Sequence, residues 1–325
     1  MITEKMFQEK LSECKRKIEA EGIRLIGERK MLYGIQLLAE SKYYEMLKIN
    51  IYLSKQGISY VISDKKTSIS SRLDQILTET FQQIPKVEVC YLGTDESGKG
   101  DYFGPLVAAG FLSYGELDAY LIKHEIQDCK KMSDQKVKDC AKYLMSNFSK
   151  NCIILTITPK KYNELYRYCM IEGKTLNDLL ALAHSRVISA ALEKKPKMRM
   201  LITDQFTDKE LLIRQIEQTK PDDLFFKRLK NKELKTEIQV LLKAEKYTAV
   251  AAASILARAA YLEWIENMSD RFGLIFPKGC GEDVKFMAAA LMDKVGERNL
   301  EEYVKIHFKT TDAVMKGYHV KSSWI

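Results

Sequence analysis

The seven cysteines are scattered, odd in number and contain no C-x-x-C pair. That spacing excludes a disulfide framework and offers no zinc site, so they read as reduced thiols. No stretch approaches the roughly eighteen uncharged apolar residues that a membrane span takes. The amino terminus, Met1-Ile2-Thr3-Glu4-Lys5, begins a charged helix-like pattern where a signal peptide would be basic and then apolar. The expectation is a cytoplasmic protein with no membrane partner. No internal repeat or low-complexity tract is evident.

What remains has the composition of a folded globular chain, 46% hydrophobic and 30% charged. Its 325 residues suffice for two domains. A formal charge of +8 favours a polyanionic partner such as nucleic acid, although many unrelated enzymes share that balance.

Residues 1 to about 30 carry charge at nearly every second position and predict a solvent-exposed amphipathic helix that Gly22 weakens or ends. From Lys30 the period becomes two. Tyr33–Leu38, Tyr44–Leu53 and Ile58–Ile62 predict three strands, and a helix is expected over Ser70–Gln83. Pro85 closes a small α+β domain, residues 1–85. Its outward face is expected to carry Lys30, Lys42, Lys48, Lys55, Lys65, Lys66 and Arg72, with tyrosines 33, 43, 44, 52 and 60 interleaved. Such a face can stack on bases, but tyrosine is also an ordinary strand residue and lysine an ordinary edge residue.

Residues 86–325 alternate strands with helices and predict one α/β domain. Its organising stretch runs from Val87 to Leu106 and places Asp95-Glu96 among glycines 93, 98, 100 and 104 after a β-branched and aromatic run. Gly93–Lys99 fits the phosphate-loop pattern G-x-x-x-x-G-K, but Gly100 stands where Ser or Thr would bind magnesium. Asp95 and Glu96 would moreover lie against the phosphates. A polar turn is the plain alternative. Against it, Asp204 ends another predicted strand, Met198–Asp204, and Glu245 shortly precedes an apolar helix over Val250–Leu262. Strand ends of one sheet can gather at one edge. Carboxylates converging there would need cations, and oxygen ligands select magnesium or manganese. The sequence permits this convergence without establishing it.

The stretch Gly93-Thr94-Asp95-Glu96-Ser97-Gly98-Lys99-Gly100-Asp101-Tyr102-Phe103-Gly104-Pro105 resembles the signature of the type 2 ribonuclease H family, and in its Gly-Lys-Gly the ribonuclease HIII branch. The resemblance continues through Asp128–Ser133, Asn177–His184, Thr203–Phe206, Lys243–Glu245, Val250–Arg258, Phe276–Gly279 and His307–Thr310. It implies an α/β fold: a ribonuclease H-like mixed sheet flanked by helices, preceded by a TATA-binding-protein-like α+β domain that binds substrate. It further implies an endonuclease that hydrolyses the RNA strand of an RNA/DNA hybrid with two Mg2+ or Mn2+ ions, leaving 5′-phosphate and 3′-hydroxyl ends. Asp95, Glu96, Asp204 and Glu245 would hold the metal, although ribonuclease HII has Asp at the place of Glu245. Gly98, Lys99 and Gly100 would recognise the ribose 2′-hydroxyl. Lys130 and Lys131 would contact phosphate, unless they are a solvated pair. Cys129 replaces a family serine. A non-catalytic hybrid-binding protein is the alternative, opposed by intact carboxylates at all four positions. His184, in an apolar helical pattern, is expected to be a packed structural histidine, and His307 structural or substrate-adjacent. A monomer is expected.

Overall fold

The computed structural model describes residues 4–317, except 55–56, 64–68, 82–86, 88, 128, 195–197, 205–206, 208, 220–236 and 242–243. It divides into two compact units, Met1–Pro85 and Lys86–Ile325.

The first unit runs α1 (Glu4–Ala20), β1 (Arg24–Met31), β2 (Gly34–Glu40), β3 (Met46–Ser54), β4 (Gly57–Ile62) and α2 (Ser70–Phe81). The strands form one antiparallel sheet in chain order. Alternation dictates its two faces. Ile35, Leu37, Ala39, Leu47, Ile49 and Ile51 are buried, and they pack with Phe7, Leu11 and Ile18 of α1 and Leu73 and Leu77 of α2. Helix α1 is therefore not solvent-exposed all round: Phe7, Leu11, Cys14 and Ile18 make one buried stripe. Strand β1 has no counterpart in the sequence-based expectation. It is a largely exposed edge strand with a register shift between Leu25 and Gly27, so its charged residues show no clean period of two.

The basic tyrosine face is only partly as expected. Lys48 and Tyr52 alternate with the buried residues of β3 and lie on the face away from α1 and α2, with the hydrogen-bonded pair Gln36–Asn50. Tyr33, Lys42, Tyr43 and Tyr44 sit in turns. Tyr60 points the other way, donating its hydroxyl to Asp74 on α2 (2.9 Å). Arg72 is on α2, paired with Glu21. Lys30 is in register with Ile35, on the helix side of the exposed edge. Lys55, Lys65 and Lys66 lie outside the described residues.

The second unit runs β5 (Tyr91–Ser97), β6 (Leu106–Ser113), α3 (Gly115–Lys123), α4 (Asp134–Phe148), β7 (Cys152–Ile157), α5 (Pro159–Ile171), α6 (Leu176–Lys194), β8 (Met200–Asp204), α7 (Lys209–Thr219), β9 (Glu237–Leu241), α8 (Thr248–Phe272), α9 (Glu282–Val295) and α10 (Lys309–Met315). The sheet order is β7-β6-β5-β8-β9. Strands β7, β6 and β5 are antiparallel neighbours, whereas β5, β8 and β9 run parallel. The sheet is mixed, with β5 at its centre.

Two helices sandwich that centre. Leu92, Leu106 and Ala108 pack towards α6, where Val187 and Ile188 lie. Tyr91, Val107 and Ala109 pack towards α8, among Ala249, Val250 and Ala253. Burial on both faces explains why β6 is apolar throughout. Helix α8 approaches so closely that a Cβ on Gly93 would lie 2.3 Å from the Ala249 carbonyl carbon. Tyr91 secures its start: the hydroxyl accepts from Ala249 N (3.2 Å) and donates to Asp118 Oδ2 (2.8 Å). One otherwise unpaired N–H of the helix start is thereby met. Helix α8 is also long and apolar enough to cross a membrane by length and composition, a window the sequence reading missed. That window is 78% buried inside the fold.

Candidate active site

Asp95 and Glu96 are not in a loop. They are the fifth and sixth residues of β5, which continues to Ser97 before the glycines begin. Because consecutive strand residues point to opposite faces, the pair straddles the sheet. Thr94 and Glu96 face α6, and Asp95 shares the α8 side with Gly93. The phosphate-loop alternative ends here, since the glycines lead into the antiparallel strand β6 and not into a helix.

Register brings the third carboxylate in. Thr94 of β5 pairs with Thr203 of β8, so Asp95 and Asp204 are the next residues along two parallel neighbours. Asp204 Oδ1 accepts from Ala244 N (3.2 Å), which fixes the short turn Ala244–Lys246 and so places Glu245 beside the same strand end. Asp95, Glu96 and Asp204 thus stand at the ends of neighbouring strands, with Glu245 in the turn that Asp204 holds. Among the described residues, no three His, Cys, Asp or Glu side chains are drawn together as a ready metal cage. The donor set nonetheless fits a hard divalent cation. Burial, with the charges of Glu96 and Asp204, raises Asp95 well above the usual carboxylate range; the Glu96 N–H to its Oδ1 (2.8 Å) and Lys130 oppose this only in part. Carboxylate oxygens are the donors that magnesium or manganese takes.

Glu96 behaves in the opposite way. Burial would raise it, but the hydrogen bond from His184 and the positive charges of Lys99 and Lys130 outweigh that and hold it below its ordinary value. His184 is fully buried, as a packed histidine should be, yet it is more than packing. Its Nε2 lies 3.1 Å from Glu96 Oε2, and its Nδ1 lies 3.0 Å from Thr94 Oγ1. A carboxylate can only accept, so Nε2 donates to Glu96, while the threonine hydroxyl pairs with Nδ1. Thr94 was not singled out in the sequence; its position two residues before Glu96, on the same strand face, was the available signal.

The glycines divide into two kinds. Gly98 has φ +86°, and a Cβ there would meet Pro105 O at 2.1 Å, so the fold itself demands glycine. Gly100 is exposed, and a Cβ would meet nothing within 4 Å. The space before it is open to a ligand. Lys99 Nζ is 3.9 Å from Glu96 Oε1. Lys130 lies exposed in the single turn Cys129–Lys131, its charge felt by both Asp95 and Glu96. Lys131 shares that turn, with its side chain outside the described atoms. Cys129 is 9% exposed and packs in the core on the α8 side. His307 contacts Tyr162, its Nδ1 3.4 Å from the hydroxyl, and burial with the Lys305 charge lowers it to about 4. The ring is half-buried, and its surroundings favour the neutral form.

Residues 92–311 match the family model described as Ribonuclease HII. Ribonuclease HIII of Chlamydia pneumoniae is 36% identical over 229 residues, 70% of this chain and 70% of that protein. Ribonuclease HIII of Bacillus mycoides (strain KBAB4) is 32% identical over 229 residues, 69% of this chain and 68% of that one. Among solved structures, Bst-RNase HIII in complex with Mn2+ superposes with a TM-score of 0.62 at 21% identity, covering 97% of both chains. Ribonuclease H2 from Pyrococcus horikoshii OT3 covers 70% of this chain and 97% of its own, with a TM-score of 0.52 at 20% identity. The structural likenesses speak to the fold, and the sequence matches to descent: the chain belongs to the ribonuclease HII family, with relatives that carry the name ribonuclease HIII.

Proposed function

We propose that this chain is a metal-dependent endonuclease that hydrolyses the RNA strand of RNA/DNA hybrids, leaving 5′-phosphate and 3′-hydroxyl ends. The observation that supports the reading is the register of β5 against β8, in which Asp95 and Asp204 each follow the paired Thr94 and Thr203, with Ala244 N–H on Asp204 next to Glu245 in the chain. Asp95, Glu96, Asp204 and Glu245 would hold two divalent ions, Mg2+ or Mn2+, which when bound supply an activated water and charge neutralisation at the leaving 3′ oxygen. The rest falls to the chain itself. His184 pins one Glu96 oxygen and keeps that carboxylate ionised. Lys99 and Lys130 add positive potential where a scissile phosphate would approach the acids. The Gly98–Gly100 backbone, with open space at Gly100, would lie against the ribose, whose 2′-hydroxyl distinguishes RNA from DNA.

The open face of the first sheet, with Lys48, Tyr52, Gln36 and Asn50, would contact the hybrid backbone, so affinity should fall steeply with salt. We place the enzyme in the cytoplasm, working as a monomer. Digestion of a labelled RNA/DNA hybrid with magnesium, manganese or chelator tests the reading. Cleavage only with a divalent ion, lost in Asp95→Asn, is the expected result; cutting in chelator, or an Asp95→Asn variant as fast as the parent, overturns it.

A further inference from the structure

The glycine loop leads into Asp101–Gly104, and this segment is held in an unusual way. All four of its carbonyls are occupied, and from distant parts of the chain. Lys305 Nζ donates to Asp101 O (2.9 Å) and to Gly104 O (2.6 Å), and the Lys305 backbone N–H donates to Tyr102 O (2.9 Å). The Tyr261 hydroxyl on α8 donates to Phe103 O (3.3 Å). Lys305 is 0% exposed, its ammonium 5.7 Å from the centre of the Tyr162 ring. Lysine is almost never buried so fully without a task for its charge or its donors. Burial lowers it to about 7, with Asp101 pulling the other way.

The strap bearing Lys305 is itself anchored. Asn163 of α5, also 0% exposed, donates to Glu301 O (3.0 Å) and Val304 O (2.9 Å) and accepts from Ile306 N (3.1 Å). At the other end, Asp101 N donates to Gly98 O (3.4 Å), and the Tyr261 ring lies 3.1 Å from where a Gly98 Cβ would stand. A continuous path of bonds runs from α5 through Lys305 to the glycine loop.

We propose that Lys305 is a positioning residue for ribose recognition: by gripping the Asp101 and Gly104 carbonyls from behind, it sets the Gly98–Gly100 backbone at the height from which the 2′-hydroxyl is read. This rests on the assignment of that loop to the ribose. A merely structural lysine would affect stability alone. A positioning lysine affects the preference for RNA.

The test is fluorescence anisotropy of the full chain in chelator, with an RNA/DNA hybrid and a DNA duplex of the same sequence, alongside steady-state cleavage of the hybrid with manganese. Lys305→Met keeps the length and removes both bonds. Expected are a fall of about tenfold or more in hybrid affinity relative to DNA duplex, a matching rise in KM, and a kcat changed far less. If Lys305→Met does not fold, Tyr261→Phe, which deletes one hydroxyl, should shift the same ratio about threefold. A folded variant with an unchanged affinity ratio, or with kcat lost at constant KM, overturns the proposal. Failure of the parent to cleave hybrid would instead refute the proposed activity, so the two outcomes are distinct.

Discussion

Replacing Asp95 with asparagine should stabilise the metal-free protein while abolishing its activity. Asp95 and Asp204 follow a paired position on adjacent parallel strands, and neighbouring strands lie about 4.8 Å apart. Two unit charges at about 5 Å and an effective dielectric near 20 repel by roughly 3 kcal/mol. Burial and the Glu96 charge, the larger causes, add to this repulsion, while the Glu96 N–H and the Lys130 charge oppose it, leaving a net gain of about 1–2 kcal/mol when the charge is removed. Asparagine keeps the one bond that matters locally, since its Oδ1 can still accept from Glu96 N. For a unit of this size about 1 kcal/mol moves Tm by 2–4 °C, so the rise should be about 2–8 °C. The pH dependence has a definite sign. Because Asp95 is raised in the folded state, the folded chain binds more protons than the unfolded one between the unfolded carboxyl range and the folded value. Stability is therefore lost as pH rises through that window. Melting in chelator should show the asparagine gain at pH 8 and almost none near pH 4. With manganese present the order should reverse, because only the parent keeps its full ligand set. A variant no more stable than the parent in chelator at pH 8 would refute the electrostatic reasoning.

His184→Phe keeps ring volume but strands Glu96 Oε2 and Thr94 Oγ1, so a loss of about 2–4 kcal/mol in denaturant unfolding is expected, with hybrid turnover more than about tenfold lower. The two glycines should separate: Gly98→Ala, forced to φ +86° against Pro105 O, should cost roughly 3 kcal/mol or more in stability. Gly100→Ala, with open space around it, should leave Tm unchanged within about 1 °C and weaken hybrid binding only. Lys305, lowered to about 7 by burial and faced by Asp101, His307 and Tyr162, binds its proton more weakly folded than unfolded. Stability should therefore climb as pH rises from about 7 towards about 10, and Lys305→Met should flatten that climb in a urea titration.

Periodicity exposed β2 and β3, because each alternates against one buried surface, and a run of small apolar residues exposed α8, which is buried all round from Thr248 to Ala257. It did not expose β1, a charged edge strand with a register shift, nor α3, whose nine residues are too short for a periodic signal. The carboxylates were legible as residues but not as geometry. Asp95 and Glu96 looked like loop residues because glycines follow them, whereas the strand runs on to Ser97. Strand pairing between β5 and β8 joins positions more than a hundred residues apart, and no local pattern encodes it. Lys305 was invisible for the same reason: a lysine reads as surface until a distant carbonyl is found for it.

These long-range bonds divide the site into parts with different origins. The acids sit on β5 and β8, whose positions follow from burial between α6 and α8 and from backbone pairing, the most cooperative parts of the fold. The glycine loop proposed to face the ribose has no such support from the sheet. Gly98 begins it with a left-handed turn, and its far side is held by Lys305, 204 residues later, and by Gly279 N on the Asp101 carboxylate, 178 residues later (2.7 Å). Contacts of that separation carry the largest loop-closure cost and are rewarded only once the intervening chain has folded. The carboxylate edge can therefore form before the loop beside it is fixed. On the proposed reading, the acids without a placed glycine loop would lack the discrimination between RNA and DNA that the reaction requires, so the proposed selectivity would depend on the carboxyl-terminal strap as much as on the acids themselves.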